Sequence, residues 1–234
     1  MKKLARSGKK GWMIFFDFDN TLTPFDVLDK VIERFAVDDR WKVFEQAWQS
    51  GKIGSRECLE GQLESVRVVR KTLSEYLAGV PVDPAFSRLL VLLKQKGIDF
   101  MIVSDSFTYL IQEILRHNGV VEPIKIYANR LRFQKDRLIP SFPFASKDCA
   151  RCAHCKKRHV LKNKGKMTVY VGDGLSDICP AEQADLVFAK AALLDVFKNN
   201  KKPCVPFKNL ANVAAFFEEL ELLSSLREKA PALV

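Results

Sequence analysis

Hydrophobic and polar positions alternate between two regimes along this chain. Trp12 to Phe16 is an unbroken run of strand-forming residues, too short and too flanked by charge to cross a membrane, and it predicts a buried strand. Short apolar runs of the same kind recur at Ile98 to Val103, Met167 to Val171 and Leu186 to Ala189. Helical spacing separates them. Asp83 and Pro84 open a helix whose Phe86, Leu89, Leu90 and Leu93 share a face and whose end is Gly97; a second runs from about Phe107 to Asn118, closed by Gly119. Ile124 to Phe133 and Arg137 to Ile139 flank the polar Gln134-Lys135-Asp136 and predict a hairpin. A basic helix is expected from about Lys157 to Lys164, a short one near Pro180 to Ala184, and a last one over roughly Asn209 to Leu223. Between Asp26 and Gly79 the pattern is helical only, with Val27, Leu28, Val31, Ile32 and Phe35, then Trp41, Phe44 and Trp48, at helical spacing. Thr72 and Glu75 predict a capping box for the last of these helices. The expected architecture is an α/β core with a parallel sheet (residues 11–24 and 81–234) and an inserted helical cap (residues 25–80).

Three of the strands run into polar triplets: Asp17-Phe18-Asp19, Ser104-Asp105-Ser106 and Gly172-Asp173-Gly174. Open parallel sheets bind ligands beyond the carboxyl ends of their strands, so these triplets should meet in one crevice. Carboxylates 17 and 19 start on the same side of a strand, and gathered acids repel one another unless a hard cation with oxygen ligands, most plausibly Mg²⁺, holds them. One aspartate can then attack a phosphoryl group while a second protonates the leaving group. The positive counterpart is a lysine, either Lys156 or Lys157.

Composition changes this picture little: the 234 residues are 47% apolar and 28% charged, as in an ordinary globular domain. The net charge of +10 comes from clusters such as Lys2, Lys3, Arg6, Lys9 and Lys10, or Lys156, Lys157 and Arg158. No recognised nucleic-acid-binding motif accompanies them, so attraction of anionic substrates or a solvated face is preferred over a nucleic-acid partner. No apolar run approaches a membrane span, and Met1 to Lys10 lacks the apolar stretch and cleavage site of a signal peptide; the expected location is cytoplasmic. Three of the six cysteines fall at Cys149, Cys152 and Cys155, the spacing of a structural Zn²⁺ site. His159 is the preferred fourth ligand, one helical turn beyond Cys155, with His154 its competitor and three reduced thiols in a loop the alternative.

Asp17-Phe18-Asp19-Asn20-Thr21, Val103-Ser104-Asp105, a lysine before a helix, and Gly172-Asp173-Gly174-Leu175-Ser176-Asp177 resemble the four ordered motifs of the haloacid dehalogenase superfamily of phosphatases. The resemblance spans about residues 12–220 and implies a Rossmann-like core with a helical cap between the first and second motifs. It makes Asp17 the nucleophile of an aspartyl-phosphate mechanism, Asp19 the general acid and base, and Ser104 a phosphoryl ligand. Asp17, Asp19 (through its backbone carbonyl), Asp173 and Asp177 become the Mg²⁺ site. Lys157 is the preferred lysine, because family members place it three residues before an apolar pair like Val160-Leu161; Lys156 is the fallback. Asp26, nine residues after Asp17, stands where related phosphoserine phosphatases carry an acid that meets the substrate amine, and a helix-capping aspartate is the plainer alternative. The cysteine cluster and Val103-Ser104-Asp105-Ser106-Phe107 look most like the phosphoethanolamine/phosphocholine phosphatases, and Asp105 departs from the glycine usual in the related methionine-salvage type. A small phosphorylated metabolite is therefore the expected substrate, phosphoethanolamine- or phosphocholine-like, with methionine-salvage and phosphoserine substrates as alternatives. The non-enzymatic rival is a basic, zinc-bearing protein that holds a phosphorylated ligand or nucleic acid.

Overall fold

A computed structural model describes residues 9–147, 149 and 151–229, with the side chains of residues 221–229 left aside; Lys2, Lys3 and Arg6 of the basic amino-terminal cluster lie outside the described residues. In chain order the elements are β1 (Trp12–Phe16), then α1 (Val27–Phe35), α2 (Arg40–Gln49), α3 (Ser55–Glu64) and α4 (Arg70–Leu77). The α/β alternation continues with α5 (Phe86–Gln95), β2 (Asp99–Phe107), α6 (Thr108–His117), β3 (Lys125–Gln134), β4 (Arg137–Ser141) and α7 (Lys156–Lys162). It closes with β5 (Met167–Gly172), α8 (Ile178–Ala181), β6 (Leu186–Ala189), α9 (Ala191–Asn199), β7 (Val205–Pro206) and α10 (Leu210–Lys229).

Among the described residues the strands form one sheet in the order β4-β3-β2-β1-β5-β6-β7, parallel except for the β3–β4 hairpin. This is a Rossmann-like α/β core. The near-continuous apolar runs have a simple cause, since the central strands are buried on both faces. Ile14 and Phe16 of β1 join Ile102, Val169 and Val171 on one face; Met13 and Phe15 join Met101, Val103 and Tyr170 on the other. From β1 the chain builds outward through β2 and β3, then crosses to β5 on the opposite side of β1. The strand order therefore reverses beside β1, which places a crevice at its carboxyl end.

Several local expectations are corrected. β2 does not stop at Val103 but runs to Phe107, with Val103 opposite Tyr127 and Phe107 opposite Asn129, so two extra residues bulge out of the ladder at the polar triplet. α5 starts at Phe86, not at Asp83. Asp83 caps the turn before it, accepting Ala85 N–H at 2.9 Å, and its other oxygen accepts Leu210 N–H at 2.8 Å from the start of α10. Thr72 lies inside α4, whose N-cap is Val69, so no capping box forms there. α9 and β7 were not legible as separate runs.

Helices α1, α3 and α4 pack apolar positions into the same core cluster as Ile14 and Phe16 of the sheet, through Val27, Val31, Ile32, Leu63, Leu73 and Leu77, while α2, which has no buried residue, reaches it with the partly buried Trp41. Gly61 makes close packing of α3 on α2 feasible, because a Cβ there would lie 2.3 Å from the Phe44 ring. Backbone hydrogen bonds tie this helical segment to the rest at Val68 N–H to Asp136 O (2.7 Å) and Ser55 N–H to Arg151 O (3.0 Å), and Asp83 N–H to Leu22 O (2.8 Å) joins the chain just before the segment to the chain just after it.

Candidate active site

The end of β1 turns sharply. Phe18 O accepts the N–H groups of Thr21, Leu22 and Thr23, and Asn20 takes a left-handed φ of 54°, a conformation asparagine tolerates better than most residues. Asp17, with only 5% of its surface exposed, stays on the core side of this turn. Its partner is a lysine from α7: Lys156 Nζ donates to Asp17 Oδ1 at 2.7 Å, to Asp177 Oδ1 at 2.8 Å and to Ser176 Oγ at 3.0 Å. Lys157 is exposed. The preference for Lys157 is thus corrected: Lys156 lies four residues before Val160, the fully buried apolar residue of α7, whereas Lys157 shares a face with Leu161, which is 40% exposed.

Asp173 and Asp177 follow β5. Thr21 Oγ1 donates to Asp173 Oδ1 at 2.9 Å, and Asp177 Oδ2 accepts the N–H groups of Asp173 and Gly174 at 3.0 Å each. Asp17, Asp173 and Asp177, all buried, bring a carboxylate oxygen each to within 4.8 Å of one another; among the described residues no other group of three or more His, Cys, Asp or Glu gathers in this way. The oxygen-only donor set suits a hard divalent cation. Asp17 and Asp173 are the members with acceptor capacity to spare, since both Asp177 oxygens are occupied by protein donors. Asp19 stands apart from the cluster: its carboxylate turns towards the helical segment and accepts Val27 N–H at 2.8 Å.

Electrostatics separates these acids. Burial, reinforced by Asp177, holds the Asp17 carboxyl well above the ordinary carboxylate range, with Lys156 opposing. Burial and the nearby Asp26 do the same to Asp19. Asp105 and Asp173 are each pushed up to about 6, chiefly by burial. Burial would raise Asp177 too, but Lys156 and Tyr170 outweigh it and hold that carboxyl below its usual value. Burial alone would depress the Lys156 ammonium, yet Asp17 and Asp177 reverse the sign and keep it charged.

Asp17, Asp19, Asp26, Asp105, Asp173 and Lys156 line one cavity of about 240 Å³ between the sheet and the helical segment, with Asp177 behind its wall. On the core side it presents Asp17, Asp19, Ser104, Asp105, Ser106 and Lys156; on the helical side Asp26, Asp29, Glu45, Trp48 and Gln62. Ser104 Oγ accepts Ser106 N–H at 3.0 Å, which leaves its own proton to donate. Ser106 Oγ and Asp105 Oδ1 are buried without a protein partner. The bulge in β2 accounts for the density of polar groups here, because it turns the triplet out of the ladder and into the cavity. Asp26 caps α1 through Asp29 N–H at 3.0 Å, the plainer of the two readings made for it, and it also lines the cavity. Asp29 and Glu45 were not singled out in the sequence; helical spacing from Asp26 was the available signal for Asp29. Trp48, one of the aromatic positions at helical spacing, is 40% exposed and lines the cavity.

The zinc expectation is not met. The ligand atoms of Cys149, Cys152, Cys155 and His159 do not converge within 4.8 Å. Cys149 is exposed, and burial pushes the Cys152 thiol up to about 12. His159 turns instead to His154, the two Nε2 atoms 2.8 Å apart, and packs against Tyr127 and Phe144. Burial lowers both imidazoles, to about 3 for His154 and about 4 for His159, so the pair is neutral and shares one proton.

A family model described as "Putative Phosphatase" matches residues 12–197. A 2-hydroxy-3-keto-5-methylthiopentenyl-1-phosphate phosphatase from Microcystis aeruginosa is 26% identical over 215 residues, covering 90% of this chain and 97% of the relative. The enzyme of the same name from Bacillus cereus (strain B4264) is 25% identical over 225 residues, covering 92% and 98%. Among solved structures, a phospho-aspartyl intermediate analogue of phosphoserine phosphatase superposes with a TM-score of 0.67 at 21% identity, covering 89% of this chain and 99% of that one. Phosphoserine phosphatase from T. onnurineus superposes at 0.63, with 18% identity and coverage of 91% and 96%. Among the described residues no helix is long and apolar enough to cross a membrane.

Proposed function

The chain belongs to the Putative Phosphatase family within the haloacid dehalogenase phosphatases and is a phosphoric monoester hydrolase, and from that premise we propose how its own residues act. Asp17 is the nucleophile: a carboxylate oxygen attacks phosphorus, the P–O bond to the leaving group breaks, and an aspartyl-phosphate forms. Asp19 donates the proton that the leaving alkoxide needs. Its raised pKa suits a carboxyl that must stay protonated near neutrality. The same group then takes a proton from water, which attacks phosphorus and releases phosphate and free Asp17. Ser104 and Ser106 are placed to donate to phosphoryl oxygens, and Lys156 to balance the charge that gathers on them. Asp17, Asp173 and the backbone carbonyl of Asp19 would hold Mg²⁺, with Asp177 supporting from behind. When bound, Mg²⁺ supplies charge neutralisation at the phosphoryl oxygens. The helical segment is read as a cap that covers the cavity and excludes water.

The observation that carries this reading is the buried ammonium of Lys156 on Asp17 Oδ1, beside a second and third buried carboxylate. A structural ion pair would have no need of so open a cavity. Asp17→Asn is expected to abolish Mg²⁺-dependent hydrolysis of p-nitrophenyl phosphate; full residual turnover would remove the nucleophile assignment.

Substrate choice follows from the far wall. Asp26, Asp29 and Glu45 face the cavity with Trp48, and Lys156 is the one cationic side chain among the described lining residues. An acidic and aromatic wall favours a phosphomonoester with an ammonium group, such as phosphoethanolamine or phosphocholine. It disfavours phosphoserine, whose carboxylate would find no cation there. The second reading is the methionine-salvage substrate of the curated relatives, favoured by their similarity along nearly the whole chain and by the apolar Leu28 and Leu59 in the wall. A screen of phosphoethanolamine, phosphocholine, phosphoserine and 2-hydroxy-3-keto-5-methylthiopentenyl-1-phosphate separates them by kcat/KM.

A further inference from the structure

Tyr170 has no part in the mechanism above, and in the sequence it reads as one more apolar position of β5. Its side chain is fully buried, packed with Phe15, Met101 and Val160 on the α7 side of the sheet. The hydroxyl donates to Asp177 Oδ1 at 2.7 Å. That oxygen also receives the Lys156 ammonium at 2.8 Å. A carboxylate offers about four lone-pair directions, and those of Asp177 are met by Lys156, Tyr170 and two backbone N–H groups. A carboxylate so fully engaged is fixed in direction, and Lys156 takes its position from it.

Gly172 stands at the point where these groups meet, and it carries no side chain to separate them. A Cβ on Gly172 would lie 2.5 Å from Asp177 Oδ2, 2.8 Å from Asp177 Cγ and 2.9 Å from Tyr170 Cε1. The strand end is therefore shaped to let the carboxylate and the phenol ring approach each other behind the cavity.

We propose that Tyr170 is a positioning residue for the phosphatase reaction: its hydroxyl orients Asp177 Oδ1, which in turn aims the Lys156 ammonium at Asp17 and the phosphoryl group. A buried tyrosine hydroxyl needs an acceptor in any protein, so a merely structural role is the competing account. The two differ in what they perturb. The structural account damages the whole site, whereas positioning through Lys156 reduces turnover and leaves metal and substrate binding in place.

The inference rests on the phosphatase mechanism proposed above. Its test is Tyr170→Phe in the full chain, which keeps the ring and removes one oxygen, assayed with Mg²⁺ and p-nitrophenyl phosphate. Loss of a hydrogen bond to a charged group predicts a fall in kcat of at least about tenfold. KM and the half-saturating Mg²⁺ concentration are expected to stay within about twofold. In a Lys156→Gln background the same substitution should lower kcat by less than about twofold, because the group it acts through is gone. Replacement of Tyr170 by 4-aminophenylalanine, which keeps a donor at the ring's end, should restore kcat to within about threefold of wild type. A kcat for Tyr170→Phe within twofold of wild type would overturn the proposal, as would equal losses in both backgrounds or a rise in the Mg²⁺ requirement matching the loss of rate. Full hydrolysis by Asp17→Asn would instead overturn the mechanism beneath it, so the two failures are distinguishable.

Discussion

Replacing Lys156 by methionine keeps an unbranched side chain one atom shorter and removes its charge. The Lys156 side chain is 2% exposed and neutralises Asp17 and Asp177, whose side chains are 7% and 0% exposed. Removing one member of a buried ion network costs on the order of 3–5 kcal/mol when the remaining charges stay ionised. Protonation of Asp17 limits that loss at low pH, because burial already favours its neutral form. Lys156→Met should thus be destabilised more at pH 8 than at pH 5, as read by thermal or urea unfolding. For turnover, loss of one preorganised donor to the transferring group is worth about 10²–10³ in kcat, or roughly 2.7–4 kcal/mol. Lys157→Met, on the exposed face of α7, should hydrolyse p-nitrophenyl phosphate within about twofold of wild type. Parallel kinetics on the two variants decide the matter. Equal losses in both, or more than about a third of wild-type kcat in Lys156→Met, would refute the placement of the ammonium.

Without a divalent cation, stability should fall as pH rises. Asp105 and Asp173 have folded values of about 6 against unfolded values near 4, so their contribution is full below about pH 4 and lost as pH passes through 6. Melts in chelator should decline from pH 5 to pH 8, and Mg²⁺ should raise the transition more at pH 8 than at pH 5; a flat or rising profile in chelator would contradict this. Glu45→Gln should raise KM for phosphocholine by roughly three- to tenfold with p-nitrophenyl phosphate unaffected, and an unchanged ratio of the two would remove Glu45 from substrate choice. Gly61→Ala should cost about 1–3 kcal/mol in urea unfolding, since its Cβ meets the Phe44 ring between α2 and α3; an unchanged midpoint would show that the ring yields freely.

What the sequence made legible was whatever depends on periodicity and strand ends. The apolar runs of β1, β2, β5 and β6 could be read because strands buried on both faces leave no polar interruptions, and Asp17, Ser104 and Asp173 stand where those runs change character. Choosing between Lys156 and Lys157 was beyond this logic. One residue along a helix is a turn of about 100°, and the adjacent pair Val160-Leu161 does not reveal which of its members is buried. The cysteine spacing misled for a related reason. Spacing restricts what a loop can bind, but the position of the loop is set by tertiary contacts such as Cys155 N–H to Phe144 O at 3.0 Å and the His154–His159 pair. Tyr170 stayed hidden because a strand tyrosine with its ring in the core and its hydroxyl on a buried carboxylate has the same sequence signature as one that merely packs.

The hydrogen bond from Ser55 N–H to Arg151 O gives the helical segment a mechanical connection to the loop that leads into α7. Val68 N–H to Asp136 O forms a second connection at the β3–β4 turn. Ser55 itself lines the cavity, so the first of these connections lies at the cavity wall. Each bond contributes about 0.5–1.5 kcal/mol, less than the shared burial of Val27, Val31, Ile32, Leu63, Leu73 and Leu77 with the sheet, so the segment is anchored chiefly by its apolar face. The first connection fixes the chain five residues before Lys156, so the helical segment and the loop that delivers the buried ammonium are held to one another.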